Sequence, residues 1–114
     1  MSKNHTPADI ERFRRLSEMG CIACRKTFGA FVQGEIAHVT HSGRRVSHQA
    51  TISLCPLHHR GLLPDGMSQE QADSTYGPSF AKNKRAFEET YGTEDELLAE
   101  TDRMLKGAGN VVDI

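Results

Sequence analysis

Nothing limits the fold of this chain as tightly as the pairing of Cys21-Ile22-Ala23-Cys24 with Cys55-Pro56-Leu57-His58-His59 across thirty intervening residues. These are all three cysteines of the protein, and an odd count argues against a disulfide framework. Thiolate and imidazole ligands in two pairs, separated by a loop of this length, can close on one tetrahedral Zn²⁺. Two blander readings fit the same spacing: buried cysteines without an ion, or a redox-active C-x-x-C. Consecutive helical residues point about 100° apart, so His58 and His59 do not serve one small ion together. The C-x-x-H spacing repeats that of C-x-x-C, which assigns Cys21, Cys24, Cys55 and His58 to a structural zinc. The reverse assignment, with His59 as the ligand, stays open.

A chain of 114 residues reads as one domain, 1–114, whose small apolar core a metal staple would reinforce. No apolar stretch approaches the roughly 18 residues that span a bilayer, and no apolar run follows Met1-Ser2-Lys3-Asn4-His5 to make a signal peptide. An intracellular, cytoplasmic protein without a membrane partner is expected, in keeping with reduced thiols. The net charge of −1 conceals an asymmetry. Residues 1–60 carry nine Lys or Arg against four Asp or Glu, residues 61–114 five against eleven, and all six histidines lie in the basic part. Cations gathered around a metal site suit a polyanionic phosphate substrate, because counterion release supplies most sequence-independent affinity.

Thr6-Pro7-Ala8-Asp9 reads as a capped helix start, followed by Ile10, Phe13, Leu16 and Met19 at threefold spacing, with Gly20 as the stop. An N-terminal helix over 6–20 is predicted. The β-branched and aromatic content of 31–40 predicts a short strand over Ile36–Val39 bearing His38, with Gly34 as a bend. Thr40–Gln49 is polar, contains Ser42-Gly43, and reads as a loop tipped by Arg44-Arg45. Thr51-Ile52-Ser53-Leu54 alternates and is expected to pair back with the first strand, and Pro56 opens a short helix. The order strand, loop, strand, helix results over 21–63. Downstream, Pro64-Asp65-Gly66 predicts a turn, and Ser68–Gln71 and Thr93–Glu96 predict capping boxes. Phe80, Phe87 and Tyr91 are placed on one helical face among packing helices over 68–106, and 107–114 reads as a tail.

His38, His41, His48 and His59 are surplus to a zinc knuckle. With them in view, the chain resembles the HNH (ββα-metal, His-Me finger) nucleases. Ala37-His38-Val39 is similar to the family's first-strand histidine, Leu54-Cys55-Pro56-Leu57-His58-His59-Arg60 to its second strand and metal helix, and Cys21-x-x-Cys24 to the zinc pair of many members. More narrowly, Leu-Cys-x-x-His-His, a histidine before the second strand, and Phe87-Glu88-Glu89-Thr90-Tyr91-Gly92 resemble phage recombination-enhancement (Ref-like) nucleases over residues 21–92. The resemblance implies a small α+β fold: a ββα-metal domain with a structural zinc knuckle, flanked by N- and C-terminal helices. It also implies an endonuclease that hydrolyses DNA phosphodiester bonds in phage or bacterial recombination, with a recombinase filament as candidate partner.

Carried onto matching positions, the resemblance makes His38 the general base and His59 a ligand of a catalytic Mg²⁺ or Mn²⁺. An imidazole with pKa near 6.5 can take a proton from water at neutral pH, and a metal can stabilise the leaving oxygen, leaving a 5′-phosphate and a 3′-hydroxyl. Two positions depart from the pattern. Ala37 stands where many members place an Asp or His ligand, and His48-Gln49-Ala50 replaces the usual Asn. His48, or less favourably His41, is expected to complete the shell, although an all-imidazole set suits Mn²⁺, Ni²⁺ or Zn²⁺ better than Mg²⁺. Arg44, Arg45 and Arg60 are the candidate phosphate contacts. No helix rich in base-reading side chains is evident and aromatic content is 6%, so weak sequence preference is expected. Two rival readings are a noncatalytic zinc module that binds DNA or protein, and an enzyme using the zinc itself hydrolytically, which a closed three-cysteine site disfavours.

Overall fold

The computed structural model describes residues 5–113, with side chains over 5–106. Helix α1 (Pro7–Met19) starts as its sequence dictates: Thr6 Oγ1 accepts from Asp9 N and Asp9 Oδ2 from Thr6 N, both at 3.1 Å. The reciprocal bonds satisfy two donors that a helix start otherwise leaves open. The expected apolar stripe is only partly used. Leu16 is fully buried while Ile10 is 58% exposed, because threefold spacing drifts about 60° per step around a 3.6-residue helix. Arg12 turns inward instead, donating to Thr51 Oγ1 at 2.9 Å and Thr51 O at 2.6 Å and pairing with Asp102 at 2.9 Å.

Gly20 ends α1 at φ 81°, ψ −176°, a backbone setting reserved for glycine. A Cβ there would lie 2.7 Å from the Phe31 ring. The chain then enters α2 (Ile22–Phe28), a short helix that the sequence did not announce. Strand β1 (Glu35–His38) pairs antiparallel with β4 (Thr51–Leu54), with Glu35 opposite Leu54 and His38 opposite Thr51. Gly34 serves close approach more than bending, since a Cβ would come 2.0 Å from Ser53 Oγ.

Between these strands the expected loop is a miniature hairpin, β2 (Thr40–His41) against β3 (Arg44–Arg45). Ser42 and Gly43 hold φ of 55° and 78°, the two positive values that a twisted two-residue hairpin turn requires. Strands of two residues carry no readable alternation, which is why composition alone suggested a loop. Helix α3 (Pro56–Arg60) follows β4 directly.

Met67 N donates to Pro64 O at 3.1 Å, closing the predicted turn. Helix α4 (Gln69–Tyr76) has its Ser68–Gln71 capping box, and α6 (Glu94–Asp113) has that of Thr93 and Glu96. Helix α5 (Lys84–Tyr91) begins only at the Asn83 cap, so Phe80 lies before the helix rather than on its face. It still meets Phe87 edge-on, ring centroids 5.6 Å apart. The backbone of α6 runs beyond the expected end at 106; the side chains of the tail assigned to 107–114 lie outside the described residues. The architecture is α+β, with Phe87, Tyr91 and Leu97 packing on Val39, Ile52, Leu54 and the cysteines in one core. Among the described residues, no helix is long and apolar enough to cross a membrane.

Candidate metal centre and histidine cleft

Both halves of the cysteine motif are built alike. Each leading cysteine caps a short helix and accepts the backbone N–H three residues on: Cys24 N to Cys21 Sγ at 3.4 Å, His58 N to Cys55 Sγ at 3.5 Å. The residue at that third position, Cys24 or His58, thereby turns its own side chain toward the same point. Cys21, Cys24, Cys55 and His58 are all buried, with ligand atoms within 4.8 Å of one another. His58 Nδ1 lies 3.7, 3.5 and 3.2 Å from the three sulfurs, and the Cys24 and Cys55 sulfurs are 3.9 Å apart. A tetrahedral zinc with Zn–S of about 2.3 Å and Zn–N of about 2.0 Å needs edges of roughly 3.5–3.8 Å. The cluster could hold a zinc ion, and His58, not His59, is its imidazole.

The surroundings fit that ion. His58 Nε2 donates to the Tyr76 carbonyl at 2.8 Å, and the Tyr91 hydroxyl, 3.2 Å from the same nitrogen, donates to that carbonyl at 2.8 Å. A proton fixed on Nε2 leaves the Nδ1 lone pair for the metal. Hydrogen bonding to Cys21, with help from His58, holds the Cys55 thiol down to about 4, whereas burial and then the Cys55 charge raise Cys24 to about 11. Burial and mutual repulsion oppose further thiolates here, a cost that a bound cation would offset.

The remaining histidines are distributed by the β1–β4 pair. His38, the last residue of β1, sets its Nε2 3.0 Å from His48 Nδ1. Only one proton fits between those nitrogens, so one ring donates and the other accepts. His48 is flanked edge-on by Phe13 and by His5, whose ring centroid is 4.5 Å away. His38 and His48 line an open groove of about 420 Å³ with Asp9, Arg45, Ser47 and Gln49. Burial, followed by the nearby Arg45 charge, pushes the His38 pKa below the ordinary histidine value.

His59 approaches β1 from α3. Its Nδ1 lies 2.9 Å from Glu35 Oε1, and the same carboxylate takes Arg60 Nε at 3.0 Å and Nη2 at 2.6 Å. His38 and His59 both border a narrow cleft of about 40 Å³ whose other polar wall is Glu94. Glu94 Oε1 in turn accepts from Thr40 N at 3.3 Å and Thr40 Oγ1 at 3.2 Å, which docks the β2–β3 hairpin on α6. His41 goes elsewhere, to Asp95 at 3.0 Å on an exposed rim. Arg44 and Arg45 stand exposed on β3.

The cysteine cluster is the one group of three or more close-set metal-ligand atoms found among the described residues. Glu35 and Glu94 escaped the sequence reading. Glu35 precedes His38 by three residues, which strand alternation assigns to the opposite face, and Glu94 was absorbed into a helix cap. A second groove of about 420 Å³ lies on the zinc side. Its walls include Phe28, Val32, Leu62, Leu63 and Tyr76, and it offers no cationic group to a phosphate.

A protein-family model described as "Recombination enhancement, RecA-dependent nuclease" matches residues 6–106. No curated protein and no solved structure matches the chain.

Proposed function

Since the chain belongs to the recombination-enhancement, RecA-dependent nuclease family, we propose that it is a metal-dependent DNA endonuclease of HNH type, of low sequence specificity, acting on DNA presented by a recombinase filament. The observation that carries the catalytic part is the meeting of His38 and His59 at one cleft, beside a polar groove edged by Arg45. In this reading His38 takes a proton from the attacking water. With the shared proton of the His38–His48 contact on His38 Nε2, His48 accepts it, orients the ring, and leaves His38 Nδ1 as the basic nitrogen. A ligand role for His48 requires the shared proton to sit on His48 Nδ1 instead, which frees His48 Nε2 but takes the basic Nδ1 from a neutral His38.

The donor set fits a divalent cation better than imidazoles alone would. His59 and Glu94 both line the cleft, and a carboxylate oxygen is what Mg²⁺ and Mn²⁺ favour. When bound, such an ion supplies charge stabilisation for the scissile phosphate and the leaving oxygen. Arg44 and Arg45 bind backbone phosphates. Arg60 adds charge to the rim but commits two of its nitrogens to Glu35, so its loss weakens DNA binding less than loss of Arg45.

The test is nicking of plasmid and of single-stranded DNA with Mg²⁺, with Mn²⁺ or with chelator, with and without recombinase filament, for wild type and His38→Ala. Metal-dependent nicking by wild type alone is expected. Equal inertness of both proteins with DNA binding retained would establish the noncatalytic zinc module instead, a reading kept in play by the lack of a second tight ligand cluster among the described residues.

A further inference from the structure

Glu35 is the half-buried carboxylate to which β1 and α3 both turn. It sits at the start of β1, opposite Leu54 of β4 and on the Ala37 face of the strand, and Ala37, Leu54 and His59 of α3 line one cleft. Its two oxygens make three bonds to consecutive residues of α3, one from His59 and two from Arg60. In that fork Arg60 fills the Oε2 side and shares Oε1, and the paired carboxylate has lone pairs only. Any proton between Glu35 Oε1 and His59 Nδ1 is therefore carried by the imidazole. A neutral ring with its proton on Nδ1 has its lone pair on Nε2.

We infer that Glu35 is a positioning residue of the nuclease centre: its carboxylate fixes His59 in the Nδ1–H tautomer and presents Nε2 as the metal-binding nitrogen at the cleft. The assignment rests on the metal-dependent reading above for its catalytic meaning, but the tautomer itself does not. The same carboxylate also binds Arg60, whose charge adds to the cluster without setting the tautomer. Strand β1 then contributes two functional groups, the orienting carboxylate at its first residue and the base at its last, joined by a backbone that the pairing with β4 keeps rigid.

A plain surface ion pair between β1 and α3 would share this geometry, so the test reads the imidazole directly. Long-range ¹H–¹⁵N spectra of the zinc-loaded protein, without added Mg²⁺ or Mn²⁺, report which His59 nitrogen bears the proton in wild type, Glu35→Ala, Glu35→Asp and Arg60→Ala. The expected result is Nδ1–H in wild type and Arg60→Ala, a shift toward Nε2–H in Glu35→Ala, and recovery in Glu35→Asp. Mn²⁺ titration should show apparent affinity reduced about 10–100-fold by Glu35→Ala, the usual cost of losing a partner behind a ligating histidine. Glu35→Met replaces the alanine variant if the latter loses zinc.

An unchanged His59 tautomer in Glu35→Ala overturns the inference, as does an Nε2–H ring in wild type. If wild type neither binds Mn²⁺ nor nicks DNA, the nuclease reading fails, while the tautomer spectra still decide whether Glu35 sets His59.

Discussion

His38 ends β1 and shares a groove with Asp9 of α1 and Arg45 of β3, and its chemistry is set by neighbours rather than by position alone. Burial and the Arg45 charge disfavour its protonated form, so the ring stays neutral below the ordinary histidine pKa of about 6.5. A general base must be unprotonated, and the activity it supports falls only as pH drops through the lowered value. The acid limb of the pH–rate profile is therefore expected below pH 6.5, and replacing Arg45 by Gln should move that limb upward. His38→Ala should reduce metal-dependent nicking by about 10²–10⁴-fold, the usual worth of a general base, with zinc content and thermal midpoint unaffected. An acid limb at or above pH 6.5 in wild type counts against His38 as the base.

Among elements, the two short helices capped by cysteine matter most. The cluster of Cys21, Cys24, Cys55 and His58, which could hold a zinc ion, was legible in the sequence because metal chemistry demands both the residue types and their spacing. Helix α2 was not, since seven residues with Gly29 behind them carry too little periodicity to register. The β2–β3 hairpin escaped for the same reason, although its Ser42-Gly43 turn was visible. His38 and His59 stood out in the sequence as surplus imidazoles, whereas the contacts they make, to His48 and to Glu35, are defined only by tertiary pairing. Structural Zn²⁺ contributes on the order of 10 kcal/mol in small domains, so Cys24→Ser or a strong chelator should abolish cooperative unfolding and native tertiary signal, read by near-ultraviolet circular dichroism. The hairpin carries a separate expectation. Each phosphate contact adds about 0.9 to the slope of log affinity against log salt on duplex DNA, so the double variant Arg44→Ala, Arg45→Ala should lower the slope by nearly two if both arginines reach the backbone.

At the scale of the whole molecule, one guanidinium joins the ends of the chain to its centre. Arg12 of α1 is bonded to fully buried Thr51 of β4 and to Asp102 of α6, so its removal takes a charged donor from the buried Thr51 carbonyl and hydroxyl. Arg12→Met should cost about 1–3 kcal/mol. Arg14 pairs only with Glu11 and Glu18 on the exposed face of its own helix, and Arg14→Met should stay within about 0.5 kcal/mol. Comparing the two by chemical denaturation separates a tie between layers from a solvated ion pair, a distinction that sequence cannot supply because both residues are arginines two positions apart.

The cysteine–histidine cluster brackets thirty residues, from Arg25 to Leu54, that include both strands of the β1–β4 pair. Bringing the ends of such a segment together has an entropic cost that metal ligation can offset. A freshly synthesised chain without zinc would then carry the histidine at 38 on a loop whose two ends are untied. Metal supply, more than translation, would set the moment at which the fold bearing both histidines is complete.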